Sequence, residues 1–296
     1  MSRAKALARL EREFDSALFL VASSWSADRA HDMTADAGRV FLEAARRRQS
    51  RGKKFDRATV FVMGRGGHPA FAESVARALR AEYGDYDVIV PTMVNGAFSL
   101  IISGAEKIWL HPYAGVGAID VGPVTQQGHE MDAIVYDDVP AMGGLGAADV
   151  EKLAGRLARE RHWRRMSRNL AGRIGRDAVD VSLALAVEDL GQELSLEAKD
   201  LCTFGFTAET LSGAAAKLVW SLYESLEMEL GVRRKPSPRY TETDIAGEVE
   251  FEAAVGLEAA CIETTRDCFS YVLDSGRPDP DTGVYHGEWD LDAISG

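Results

Sequence analysis

A chain of 296 residues with 46% hydrophobic and 27% charged side chains can bury a sizeable core and lies far from the disordered class. Its formal net charge of −12 argues against nucleic acid as a partner, because sequence-independent phosphate binding needs a cationic surface. Met1-Ser2-Arg3-Ala4-Lys5 opens a charged helical segment, and the longest apolar runs, such as Ala17 to Ser23, are too short for a bilayer, so a cytoplasmic protein without a membrane span is expected.

The first half alternates between strand and helix patterns. Ala17–Val21, Thr59–Met63 and Asp87–Pro91 are apolar, β-branched runs of strand length without polar alternation, as expected for a parallel or mixed sheet covered on both faces. A helix of about Asp36 to Gln49 carries Val40, Phe41 and Ala44 on one face and ends in Arg46, Arg47 and Arg48, which complement its dipole. Between the second and third runs, Phe71, Val75, Ala78 and Leu79 recur at helical spacing from Pro69 to Tyr83, which makes a β-α-β crossover. Asn95 to Ala105 then reads as a strand-to-helix turn and a buried helix of small residues. Lys107 to His111 reads as a further strand stopped by Pro112.

The second half is largely helical. Asp149 is a suitable N-cap for a helix to about Ala171, Asp177 starts one ending near Gly191, and Ser195 starts one through Lys199. Thr207 starts a long helix through Leu230, with a stripe of Leu211, Leu218, Leu222 and Leu226. Arg233 to Pro238 is a linker, and Val249 to Tyr271 fits either a helix or a pair of strands. The expected organisation is an α/β core over residues 1–148, a helical extension completing the fold over 149–232, and a linker with a C-terminal segment over 233–296. Cys202, Cys261 and Cys268 include no Cys-x-x-Cys pair and are read as buried small hydrophobes. His286 among Glu288 and Asp290 is too little for a metal site, so neither metal nor cofactor is expected.

Four segments carry a family resemblance: Gly64-Arg65-Gly66-Gly67, Val90-Pro91 through Ala97, Gly104-Ala105-Glu106-Lys107-Ile108, and Val116-Gly117-Ala118-Ile119-Asp120. Their order and separations resemble the serine dehydrogenase proteinase family and, more distantly, signal peptide peptidases and Clp proteases. There, a strand ends in a Pro-Gly-Gly-type loop and the next delivers a serine at the start of a small-residue helix. The likeness continues through Glu197 to Leu201 and Ile262 to Arg266. It implies a Clp-protease/crotonase-like α/β fold with a helical C-terminal extension. It also implies a homo-oligomer, or a hetero-oligomer with a homologous subunit, and a peptide as ligand.

The departures decide the chemistry. The family serine falls on Gly96, which has no nucleophile, and the histidine base would fall near Ile119. An oxyanion hole could survive, because Gly66 and Gly67 can present bare amides and the helix starting at Ala97 adds its positive end. Ser99 is the candidate replacement nucleophile, although its hydroxyl should turn toward the preceding helical turn; Ser103 shares that face. His68 is either a base or a loop histidine, His111 a base or a structural residue, and Asp120 an orienting acid or a turn cap. Lys107 is read as a solvated charge rather than a base. Asn95 offers an amide at the elbow for noncovalent, crotonase-type oxyanion chemistry. Two readings follow: a noncatalytic binding or assembly subunit, or a hydrolase working through Ser99 or through Gly66, Gly67 and Asn95.

Overall fold

A computed structural model describes residues 3–25, 33–51, 54–119, 165–166, 169–173, 195–232, 241–243, 248–250, 258–273 and 287–293. In chain order its elements begin with α1 (Arg3–Phe14), β1 (Ala17–Ser23), α2 (Ala35–Ser50), β2 (Ala58–Met63), α3 (Pro69–Tyr83) and β3 (Tyr86–Val90). Next come β4 (Met93–Val94), α4 (Ala97–Ser103), β5 (Lys107–Leu110), β6 (Gly115–Val116), α5 (Ala198–Thr203), β7 (Ala208–Thr210) and α6 (Gly213–Glu229). The last are β8 (Thr241–Thr243), β9 (Glu248–Glu250), β10 (Glu258–Glu263), β11 (Asp267–Leu273) and β12 (Gly287–Ala293).

One eight-stranded mixed sheet organises the protein, in the order β12-β11-β10-β1-β2-β3-β5-β7. The half from β1 to β7 is parallel, and β10, β11 and β12 continue it antiparallel. Apolar runs without alternation form these strands because both faces are covered. Phe19, Val21, Val60, Val62, Val88 and Val90 enter one buried cluster with α2, α3 and α4. Leu18, Leu20, Phe61, Met63 and Ile89 enter the opposite cluster with α1 and α6. The thickness is therefore helix, sheet, helix.

Local chemistry sets the helix ends. α3 begins with Pro69 at its first position, is capped by His68, whose Nδ1 accepts the Ala70 amide at 3.1 Å, and stops at Gly84, where φ is 79°. α4 is buried throughout. Its Phe98, Leu100, Ile101 and Ile102 are all fully buried, and each such side chain contributes about 1.5–3 kcal/mol relative to exposure. The Tyr86 hydroxyl donates to the Ile101 carbonyl at 2.7 Å, satisfying one of the acceptors that a helix end leaves open. A separate two-stranded parallel sheet, β4 with β6, flanks this helix.

Several expectations are corrected. Thr207 does not start a helix: Ala208–Thr210 pairs with β5 as β7, and the helix begins after Ser212, because extending the sheet satisfies backbone groups that a helix there would leave on its edge. The helix expected from Ser195 is capped instead by Glu197, whose backbone amide donates to Asp200 Oδ2 at 3.1 Å. Leu196 bridges to Val116 in extended conformation. Arg48 does not simply complement a dipole; it is buried and pairs with Glu11 at 2.8 Å, tying α2 to α1. Cys202 is exposed rather than buried. Of the two options for Val249 to Tyr271, strands form, and they extend the main sheet. The expected helix from Asp177 to Gly191, most of that from Asp149, the linker Arg233 to Pro238, and the positions of Asp120 and His286 lie outside the described residues.

A partly buried charge network closes the second face. Arg3 reaches Glu258 at 3.1 Å, Glu263 at 3.0 Å and Glu229 at 3.0 Å. Cys268 donates to Glu263 at 3.2 Å. Glu258, Glu263 and Cys268 lie close enough together to share an ion, but two of them already hold the Arg3 guanidinium.

Candidate functional site

Parallel strands bring their carboxyl ends to one rim of the sheet, where ligands of open α/β sheets sit. β1 is followed there by Ser24-Trp25, β2 by Gly64-Arg65-Gly66-Gly67, β3 by Pro91-Thr92 and β5 by His111. The sequence-derived candidates Gly66, Gly67, His68, Asn95, Gly96, Ala97, Ser99 and His111 all belong to this rim or to the helix behind it.

Gly96 is the pivot between β4 and α4. Its φ of 65° and ψ of −129° make the sharp strand-to-helix turn that a nucleophile elbow uses. Gly66 fills the space where a side chain would stand: a Cβ on residue 96 would lie 2.4 Å from the Gly66 carbonyl oxygen and 2.7 Å from its Cα. Both polar groups of Gly66 are already used. Its amide donates to Asn95 Oδ1 at 3.0 Å, and its carbonyl accepts the Ala97 amide at 2.7 Å. The Gly96 amide donates to Ala118 at 2.7 Å. Asn95 is thus a backbone clamp, 7% exposed, rather than a group presented to a ligand. Of the two amides expected to form an oxyanion hole in the turn, only that of Gly67 has no acceptor among the described residues.

The serines face inward. Ser99 is fully buried and its hydroxyl donates to the Val94 carbonyl at 3.3 Å, while Ser103 donates to Leu100 at 2.7 Å. His68 spends Nδ1 on the α3 cap and its amide on the Met33 carbonyl. His111 is stacked on Trp220 with ring centroids 4.7 Å apart, and its Nδ1 accepts the Tyr113 amide at 3.3 Å. Burial pushes the His111 pKa below its ordinary value, because desolvation disfavours the protonated ring. Lys107 is half-buried over the Trp109 ring and pairs with Glu209 at 2.7 Å, away from this rim.

Other rim residues went unnoticed in the sequence. The Arg65 guanidinium lies 5.1 Å from the Trp25 ring centroid, and its Nε is buried without a hydrogen-bond partner. Tyr223 of α6 lies beside both Arg65 and Thr92 and donates to Glu227 at 2.8 Å. Trp220 is 5.0 Å from Tyr223 and 5.4 Å from Tyr113, so aromatic rings line this end of the sheet from Tyr113 to Trp25. The one available signal was an arginine inside a glycine turn. A cleft of about 280 Å³ lies elsewhere, between α3 and helical residues 165–166 and 169–173, and is lined by Glu73, Met166 and Arg173.

The chain matches no protein-family model, and no curated protein is significantly similar to it.

Proposed function

We propose that this protein is a noncatalytic binding or assembly subunit on a Clp-protease/crotonase-like scaffold, related to the serine dehydrogenase proteinases. The order of a glycine turn after β2, an elbow before a buried helix and a small flanking sheet of β4 and β6 supports the scaffold reading. One observation carries the functional half: the Gly66 backbone occupies the volume that any side chain on residue 96 would need. Glycine at the elbow is then a packing requirement as well as a missing hydroxyl. Acyl transfer needs an attacker, a base and oxyanion donors together. This rim has no exposed serine among its described residues, commits the Nδ1 atoms of both histidines to backbone amides, and leaves one turn amide free.

The hydrolase reading requires Ser99 to leave a site where it is fully buried and already hydrogen-bonded. Noncovalent oxyanion chemistry would need a second amide beside that of Gly67, and those of Gly66 and Ala97 are engaged. Treatment of the folded protein and of Ser99→Ala with a fluorophosphonate, followed by intact mass, tests the proposal. No adduct on either protein is expected. Labelling of the wild type that vanishes in Ser99→Ala would overturn the noncatalytic reading and establish a serine hydrolase.

A further inference from the structure

We propose that Arg65 is the anchor of a ligand site at the carboxyl ends of β1, β2 and β3, and that it takes the carboxylate of a peptide, whether a free C-terminus or an acidic side chain. The inference deepens the binding role proposed above and rests on that reading.

Arg65 differs from Arg80, which donates to the Gly104 carbonyl, and from the arginines that hold carboxylates. Arg3 holds Glu258 and Glu263, Arg48 holds Glu11, and the more exposed Arg57 holds Asp87. No carboxylate reaches Arg65 among the described residues, although the chain carries a net charge of −12. Among the described residues, the only ionisable group beside it is the Tyr223 phenol. Burial, followed by the Glu227 contact, pushes that phenol's pKa up to about 12, so it offers no negative charge at neutral pH. Desolvation meanwhile lowers the pKa of the guanidinium itself, a cost that an arriving anion would offset.

The geometry selects a planar anion. The Arg65 guanidinium carbon lies 5.1 Å from the Trp25 ring centroid, within cation–π reach, and a planar guanidinium carries its N–H donors at its edge, where a partner in that plane meets them. A carboxylate matches that edge with two parallel hydrogen bonds. Gly67, two residues along the same turn, adds an amide without an acceptor among the described residues. The rings of Trp25, Trp220 and Tyr113 give the apolar part of a peptide a surface to lie on, with Tyr113 74% exposed and the buried Tyr223 packed against Trp220. A peptide supplies both parts, an apolar side chain and a carboxylate.

The test is a calorimetric titration of the full chain with three probes. The first is N-acetyl-alanyl-leucyl-phenylalanine with a free carboxylate, and the second is its C-terminal amide. The third is that amide with glutamate in place of alanine. Binding of the first or third at least about tenfold tighter than the second is expected, as befits a charge-assisted hydrogen-bonded pair. The free acid alone gaining affinity would assign the site to C-termini, and both gaining would assign it to carboxylates in general. In Arg65→Gln, which keeps a stem against Trp25, that preference should vanish. In Arg65→Lys, which preserves the charge without the planar fork, it should shrink. Equal binding of acid and amide, an undiminished preference in both variants, or no binding by any probe would overturn the proposal. The fluorophosphonate result does not depend on this titration, so either conclusion can fail alone.

Discussion

Replacing Gly96 with alanine adds one methyl group at the most crowded point of the rim. Two costs follow. A residue with a side chain at φ 65° and ψ −129° is strained by about 1–3 kcal/mol. The new Cβ would also stand 2.4 Å from the Gly66 oxygen and 2.8 Å from its carbonyl carbon, contacts that backbone cannot yield cheaply. If the Gly66 turn retreats, it loses the bonds to Asn95 and Ala97, each worth about 0.5–1.5 kcal/mol net. Together these give a loss of roughly 3–5 kcal/mol. Urea unfolding followed by circular dichroism should show the midpoint falling by more than about 1 M for a slope near 3 kcal/mol/M. Gly84→Ala is the control: φ and ψ there are 79° and −106°, but a Cβ would meet nothing within 4 Å, so only the same torsional cost of about 1–3 kcal/mol applies. If Gly96→Ala proves no worse than Gly84→Ala, the packing argument at the elbow is refuted.

Two further expectations concern the clamp and the stacked histidine. Asn95→Ala leaves the Gly66 amide buried without its acceptor and should cost about 1–3 kcal/mol, a fall of several degrees in melting temperature. Asn95→Asp keeps an acceptor oxygen and should lose less; equal losses would argue against the clamp. His111 has its pKa lowered by burial, so the unfolded chain takes up a proton more readily than the native one. Stability is then fully present above the ordinary imidazole pKa of 6.5 and declines as pH falls below it. Between about pH 7.5 and pH 5.5 the wild type should lose more thermal stability than His111→Phe, and parallel losses would count against the assignment.

The half of the fold built from local patterns was legible. Unalternated β-branched runs announced β1, β2 and β3, and Phe71, Val75 and Leu79 gave α3 its limits, because a strand buried on both faces and an amphipathic helix write their burial into the sequence. β7 was not legible, and β10 only as one of two options, for a shared reason. Ala208–Thr210 is three residues long, and Glu258–Glu263 has Ile262 as its single strong β-former, so each is a strand by virtue of the neighbour it pairs with. At the rim, Gly96 and the Gly66-Gly67 turn stood out by residue type alone. The clamp joining them did not, since Asn95 and Gly66 meet only when two strand ends come together. Arg65 stood out only once Trp25 and Tyr223 from other elements were beside it and no carboxylate was, among the described residues.

The pairing of β1 bears on the order in which the chain can fold. β1 is flanked on one side by β2, close in sequence, and on the other by β10, with Leu20 opposite Glu263 and Val21 opposite Ile262. Every residue of β1 is buried, so until β10 is available the strand presents an apolar face and a bare row of amides and carbonyls to its surroundings. A growing chain must hold that edge unpaired while nearly all the intervening residues emerge, the circumstance in which contacts distant in sequence slow folding and invite pairing between molecules.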